Sequence, residues 1–258
     1  MTSELAGTGQ LEASHQHGVT TLMLNRPGRG NALAPALVEA LLSQVDQACR
    51  GDSVHTLVLR GSGPHFCTGL DLSDLTEVSD GDLLLRLVRI EALLAALWHA
   101  PIRTVAVAQG RTWGAGADLF AACEQRLALA DASFRFPGAQ FGIVLGTRRL
   151  AERMGVEAAR RCVIEGLELD AAQALAAGLA SMRVDDGAAS VSAAAVTPSI
   201  SADTARAIRA ATRAAGQGNQ RDADLAALVR SAAVPGLKDR ILAYRARLRP
   251  ARAAQADT

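Results

Sequence analysis

The chain has 258 residues, of which 49% are hydrophobic and 21% charged, enough apolar content for one well-buried domain with an appendage. A formal net charge of +1 gives no global electrostatic case for nucleic acid or a membrane surface. Four cysteines, Cys49, Cys67, Cys123 and Cys162, lack CxxC or metal-ligand spacing, and their apolar neighbours read as buried thiols in a reducing compartment.

Residues 1–18 read as a polar N-terminal tail without the long apolar run of a signal peptide. No stretch reaches the length of a membrane span, so a cytoplasmic location is the expectation. Val19 to Leu24 reads as a strand, and Pro35 to Ala48 as a helix with Leu37, Leu41, Val45 and Ala48 on one face. Buried strands follow at Thr56 to Arg60 (TLVLR) and Thr104 to Ala108 (TVAVA), alternating with helices from about Asp82 to His99 and from Ala115. That alternation predicts parallel pairing through helical crossovers, an α/β core over 19–190. A short helix ended by Gly178 and a strand from Ser181 to Val184 come next, and 185–198 is the expected boundary. Residues 191–258 form a helical region, with helices predicted at Ala202 to Ala215, Asp222 to Ala232 and Leu237 to Leu248.

Two strand ends carry the chemistry. After TVAVA the chain reads Gly110-Arg111-Thr112-Trp113-Gly114-Ala115-Gly116-Ala117-Asp118-Leu119, where small residues open a helix and leave free N–H groups that favour negative charge. After TLVLR it reads Phe66-Cys67-Thr68-Gly69-Leu70-Asp71-Leu72, again with a glycine and free amides just past the strand.

Together FCTGLDL and GAGADL resemble the two oxyanion loops of the crotonase superfamily, the enoyl-CoA hydratase and isomerase family. Leu24-Asn25-Arg26-Pro27, Asn31-Ala32-Leu33, Phe134-Arg135-Phe136-Pro137 and Gly142-Ile143-Val144 follow the family's order. The resemblance implies a ClpP/crotonase-like spiral of ββα units with a C-terminal helical region that closes the acyl pocket and mediates assembly as a homotrimer or hexamer. It implies an acyl-CoA thioester substrate in fatty acid metabolism, with coenzyme A carried by the substrate and no separate cofactor. The Leu70 and Ala115 N–H groups fall where the family polarises the thioester carbonyl, a device for which one donor is typically worth about 3–4 kcal/mol. Arg26, Ala32, Cys67, Thr68, Gly69, Asp71, Trp113, Gly114 and Gly138 fall at positions expected to contact substrate or shape the loops, with Asp71 as loop support.

The catalytic side chains depart from the family's pattern. Hydratases of this family carry two glutamates; here the first position is Asp118 and the second is Gly138. A glycine is neither acid nor base, so Asp118 is the sole expected acid or base, and the two-carboxylate mechanism is not carried over. Hydration or isomerisation is the leading expectation. Decarboxylation, C–C hydrolysis and a silent CoA-binding or scaffolding subunit are the alternatives. No serine occupies a GxSxG-like elbow, which disfavours a ClpP-like hydrolase. Glu91 is expected in a solvated position beside Arg86 or Arg89, Cys67 as an apolar filler, and no metal site is expected.

Overall fold

The computed structural model describes residues 3–5, 9–51, 53–187, 191, 198–214 and 220–256. Ten strands and nine α-helices among these build a mixed α/β fold with a mainly parallel sheet. The N-terminal strands β1 (Ser3–Leu5) and β2 (Leu11–Gln16) pair antiparallel, and β2 pairs antiparallel with β3 (Val19–Leu24). The polar tail expected over 1–18 is therefore, where described, the edge of the sheet. Its strand β2 alternates buried Leu11 and Ala13 with exposed Glu12 and Ser14, the pattern of a half-solvated edge.

From β3 onward the pairing is parallel: β4 (Thr56–Gly61), β5 (Arg103–Ala108), β7 (Gln125–Leu129) and β10 (Met182–Val184) complete the seven-stranded sheet. Helices α1 (Pro35–Arg50) and α2 (Asp80–Trp98) make the crossovers from β3 to β4 and from β4 to β5. Helix α1 buries Leu37, Leu41, Val45 and Ala48, the face expected from their spacing. A capping box between Ser79 and Asp82 starts α2.

A second, three-stranded sheet of β6 (Arg111–Trp113), β8 (Ser133–Arg135) and β9 (Leu169–Asp170) packs beside helix α3 (Ala115–Ala122). The 3-10 turn Pro137–Phe141 leads to α4 (Thr147–Met154), α5 (Val156–Ile164) and α6 (Ala171–Ala176). The boundary expected over 185–198 falls mostly outside the described residues. Helices α7 (Ala202–Ala214), α8 (Gln220–Ala232) and α9 (Leu237–Ala256) follow.

The C-terminal helices are pinned back onto the core. The carboxylate of Asp80, at the start of α2, accepts from the N–H groups of Gly236, Leu237 and Lys238, capping α9 from outside its own chain segment. That anchor brings Tyr244 within 5.3 Å of the Phe141 ring, centroid to centroid, at the edge of the cavity described next. No helix among the described residues is long and apolar enough to cross a membrane.

Candidate active site

The two strand-end loops meet. Cys67 and Leu70 each bridge a neighbouring segment, Thr112 and Leu33 respectively. In the second bridge Leu33 N–H donates to Gly69 O at 2.8 Å and Asp71 N–H to Leu33 O at 3.2 Å. Alternation along an extended chain then turns the N–H of Leu70, between them, to the opposite side. At the other loop the carbonyl of Gly114 accepts from Ala117 and Asp118, leaving the Ala115 N–H at the open end of α3. Neither Leu70 N–H nor Ala115 N–H donates to a backbone carbonyl among the described residues.

Glycine makes this approach possible. Gly69 has φ +96° and Gly114 φ +54° with ψ −131°, both costly for a residue with a Cβ. A Cβ on Gly69 would lie 2.9 Å from the Trp113 carbonyl oxygen and 3.3 Å from the Ala115 nitrogen. Ala115 itself does not need positive φ, so its methyl group is accommodated without strain.

Leu70 and Ala115 both line a cavity of about 1520 Å³. Ala32, Thr68, Gly69, Asp71, Trp113, Gly114, Asp118 and Gly138 also line it, so most of the residues expected at the site are brought together. Two of them are not on its wall. Cys67 is fully buried beneath the loop, where burial pushes its thiol up to about 12 and leaves it inert. Arg26 is turned inward: Nη2 pairs with Asp71 at 2.8 Å and Nη1 donates to the Ala32 carbonyl. The expectation of substrate contact gives way to a brace that holds the Leu70 loop against the Ala32 turn.

Asp71 and Asp118 sit in contrasting surroundings. Burial works against ionisation of Asp71, but the Ser73 N–H and Arg26 outweigh it, and its carboxyl is held below the ordinary range. Asp118, one helical turn beyond Ala115 on the same face of α3, is 6% exposed. Burial lifts its pKa well above the usual carboxylate value, the nearby charge of Glu91 adds to the rise, and Arg149 only partly opposes it. The main chain of Gly146 is pressed on this carboxyl, so closely that a Cβ there would lie 2.3 Å from Oδ1. The shortened loop Leu145-Gly146-Thr147 thus forms one wall around Asp118.

Glu91 corrects the expectation of a solvated residue beside Arg86 or Arg89. Those arginines pair outward with Asp74 and Glu39, whereas Glu91 is 2% exposed and bonded to Arg149, 58 residues away in sequence. Gly138 would accept a methyl group: a Cβ there would make only ordinary contacts, the nearest at 3.7 Å to Ile143. No cluster of three or more metal-ligating side chains occurs among the described residues.

A sequence model of enoyl-CoA hydratase/isomerase matches residues 14–233 of the chain. The chain belongs to the enoyl-CoA hydratase/isomerase family. Within it, the Mycobacterium leprae protein named "Probable enoyl-CoA hydratase echA6" is 34% identical over 169 residues, 63% of this chain and 66% of that protein. The Mycosarcoma maydis enoyl-CoA isomerase/hydratase fer4 is 31% identical over 174 residues, 63% of this chain and 64% of its own length. The chain thus spans just under two thirds of these curated relatives. A Bordetella parapertussis crystal structure carrying the same family designation is 41% identical, with TM-score 0.84 over 93% of this chain and 99% of that one. An enoyl-CoA hydratase/isomerase structure from Xanthobacter autotrophicus Py2 shares 26% identity and a TM-score of 0.81 over 97% of both chains. These neighbours share the crotonase fold.

Proposed function

We propose that the protein acts on acyl-CoA thioesters, holding a thioester enolate at the Leu70 and Ala115 N–H groups and protonating it from Asp118. The observation that carries this reading is the convergence, on the wall of a single cavity, of two residues with unpaired backbone donors and one buried carboxyl whose surroundings favour its protonated form. Donors fixed in place before reaction need no reorganisation as negative charge develops on the carbonyl oxygen.

The protonation state sorts the reactions. A carboxyl whose surroundings favour the protonated form is suited to enter the cycle as an acid. Hydration of a 2-enoyl thioester uses it so: water oxygen bonds to the β-carbon, the double-bond electron pair moves onto the carbonyl oxygen, and Asp118 delivers its proton to the α-carbon. The carboxylate then recovers a proton from the added water, so one residue closes the cycle that the family ordinarily divides between two. Isomerisation begins with proton abstraction and requires Asp118 ionised, which its surroundings disfavour.

Gly138 favours a second reading. Loss of carbon dioxide from a malonyl-type thioester generates the same enolate with no base, and at Gly138 no side chain is present to compete as acid or base. Incubation with enoyl, β-keto and malonyl-type thioesters, followed by mass spectrometry, separates the two: a gain of water supports hydration and a loss of carbon dioxide supports decarboxylation. Binding without conversion across the panel contradicts both and identifies a silent subunit.

A further inference from the structure

An ionic cluster with a buried Glu91–Arg149 pair at its centre acts on Asp118. Glu91 of α2 accepts from Arg149 Nη1 at 3.0 Å and Nη2 at 2.6 Å. Arg149 of α4 is 1% exposed, and its Nη2 also lies 3.1 Å from Asp224 Oδ2 on α8. Arg148 holds the far side of Asp224 through Nε at 2.8 Å and Nη2 at 2.7 Å, and its Nη1 pairs with Glu152, which opens toward solvent. Three helices remote in sequence are tied together by this cluster.

Stability alone is a weak reason for such a cluster, because well-packed apolar residues of the same volume often serve as well or better. Its charge balance suggests another role. Three carboxylates, Glu91, Asp224 and Glu152, face two guanidiniums, Arg148 and Arg149, so the cluster offers no unmatched positive charge. An ionised Asp118 would add a fourth carboxylate with no partner of its own. The charged groups facing it are Glu91 from α2 and Arg149 from α4, and Gly146 supplies only main chain.

We propose that Glu91, oriented by Arg149 and Asp224, is a positioning residue that keeps Asp118 in its acid form between turnovers. This rests on the reading of Asp118 as proton donor. When Asp118 gives its proton to the enolate carbon, the carboxylate left beside Glu91 is driven to take a proton back from water. Asp224 makes the C-terminal helices part of this arrangement, since without it one negative charge beside Arg149 is lost and the guanidinium bears more strongly on Asp118, favouring its ionised form.

The test is infrared titration of the ligand-free protein, reading the protonated-carboxyl band that disappears in Asp118→Asn. In Glu91→Gln both the loss of a like charge and the weaker neutralisation of Arg149 favour ionisation. The band is expected to titrate away about one pH unit or more below wild type, with the alkaline limb of turnover moving alongside. Asp224→Asn is expected to move it the same way, which covers the case in which Glu91→Gln fails to fold. Glu39→Gln, at an exposed pair with Arg89, is expected to move neither. An unshifted band in folded Glu91→Gln or Asp224→Asn overturns the inference. A shifted band together with undiminished turnover in Asp118→Asn supports the coupling and overturns the functional reading.

Discussion

The two loops that meet at the cavity each carry an aspartate just past the unpaired N–H, and the two aspartates are almost equally buried, 7% exposed at Asp71 and 6% at Asp118. Asp71 has a guanidinium at 2.8 Å and a backbone donor; Asp118 has a like charge behind it and a glycine main chain against it. One carboxyl is consequently held as an anion and braces its loop. The other is pushed toward its protonated form on the wall of the same cavity. Burial by itself does not assign a role; the partner decides whether a buried carboxyl serves structure or chemistry.

The sharpest break in this contrast is Asp118→Asn, which keeps the shape and removes the transferable proton. Turnover is expected to fall about 10²–10⁴-fold with ligand binding retained, measured by steady-state kinetics and calorimetry. Replacing Arg149 with Met strips the counter-charge from Glu91 and Asp224 and is expected to cost about 3–5 kcal/mol in denaturant unfolding. At the other loop, Arg26→Ala leaves Asp71 without its guanidinium and frees the Ala32 carbonyl. Chemical denaturation should register a loss of about 1–3 kcal/mol.

The contrast also predicts opposite pH signatures. The folded-state pKa of Asp71 is lowered, so its contribution is present above the ordinary carboxylate range and is lost as pH falls through the folded value. Asp118 is raised, so its contribution is full below the ordinary range and is lost as pH rises through its folded value. Melting curves of Asp118→Asn should therefore gain on wild type as pH rises from mildly acidic to mildly alkaline, while Arg26→Ala should lose most at the alkaline end and converge with wild type in acid. The smallest effect belongs to Gly138→Ala. Its methyl group meets only ordinary contacts, and a stability change within about 0.5 kcal/mol is expected in the same unfolding assay.

Much of this was legible in the chain itself because it is local. Val19–Leu24 forms the expected strand residue for residue, the face of α1 follows its leucine spacing, and both glycine loops stand at strand ends as read. The first strands escaped notice because an edge ladder buries only alternate residues: Leu11 and Ala13 are the whole signal in a segment otherwise polar. Glu91 was misplaced for a different reason. Arg86 and Arg89, on the same helix, are the obvious local partners, and nothing in the order of residues shows that Asp74 and Glu39 take them. The turn of Arg26 away from the cavity is likewise a tertiary event, fixed by an aspartate 45 residues on.

The central claim is that Asp118 protonates an enolate held at the two backbone donors. It is tested most directly by running the thioester panel in deuterated water with wild type and Asp118→Asn side by side. The account predicts conversion by wild type with one deuterium on the α-carbon of the product, and binding with conversion lowered by orders of magnitude in the variant. Equal conversion and equal α-deuteration by both proteins would contradict it.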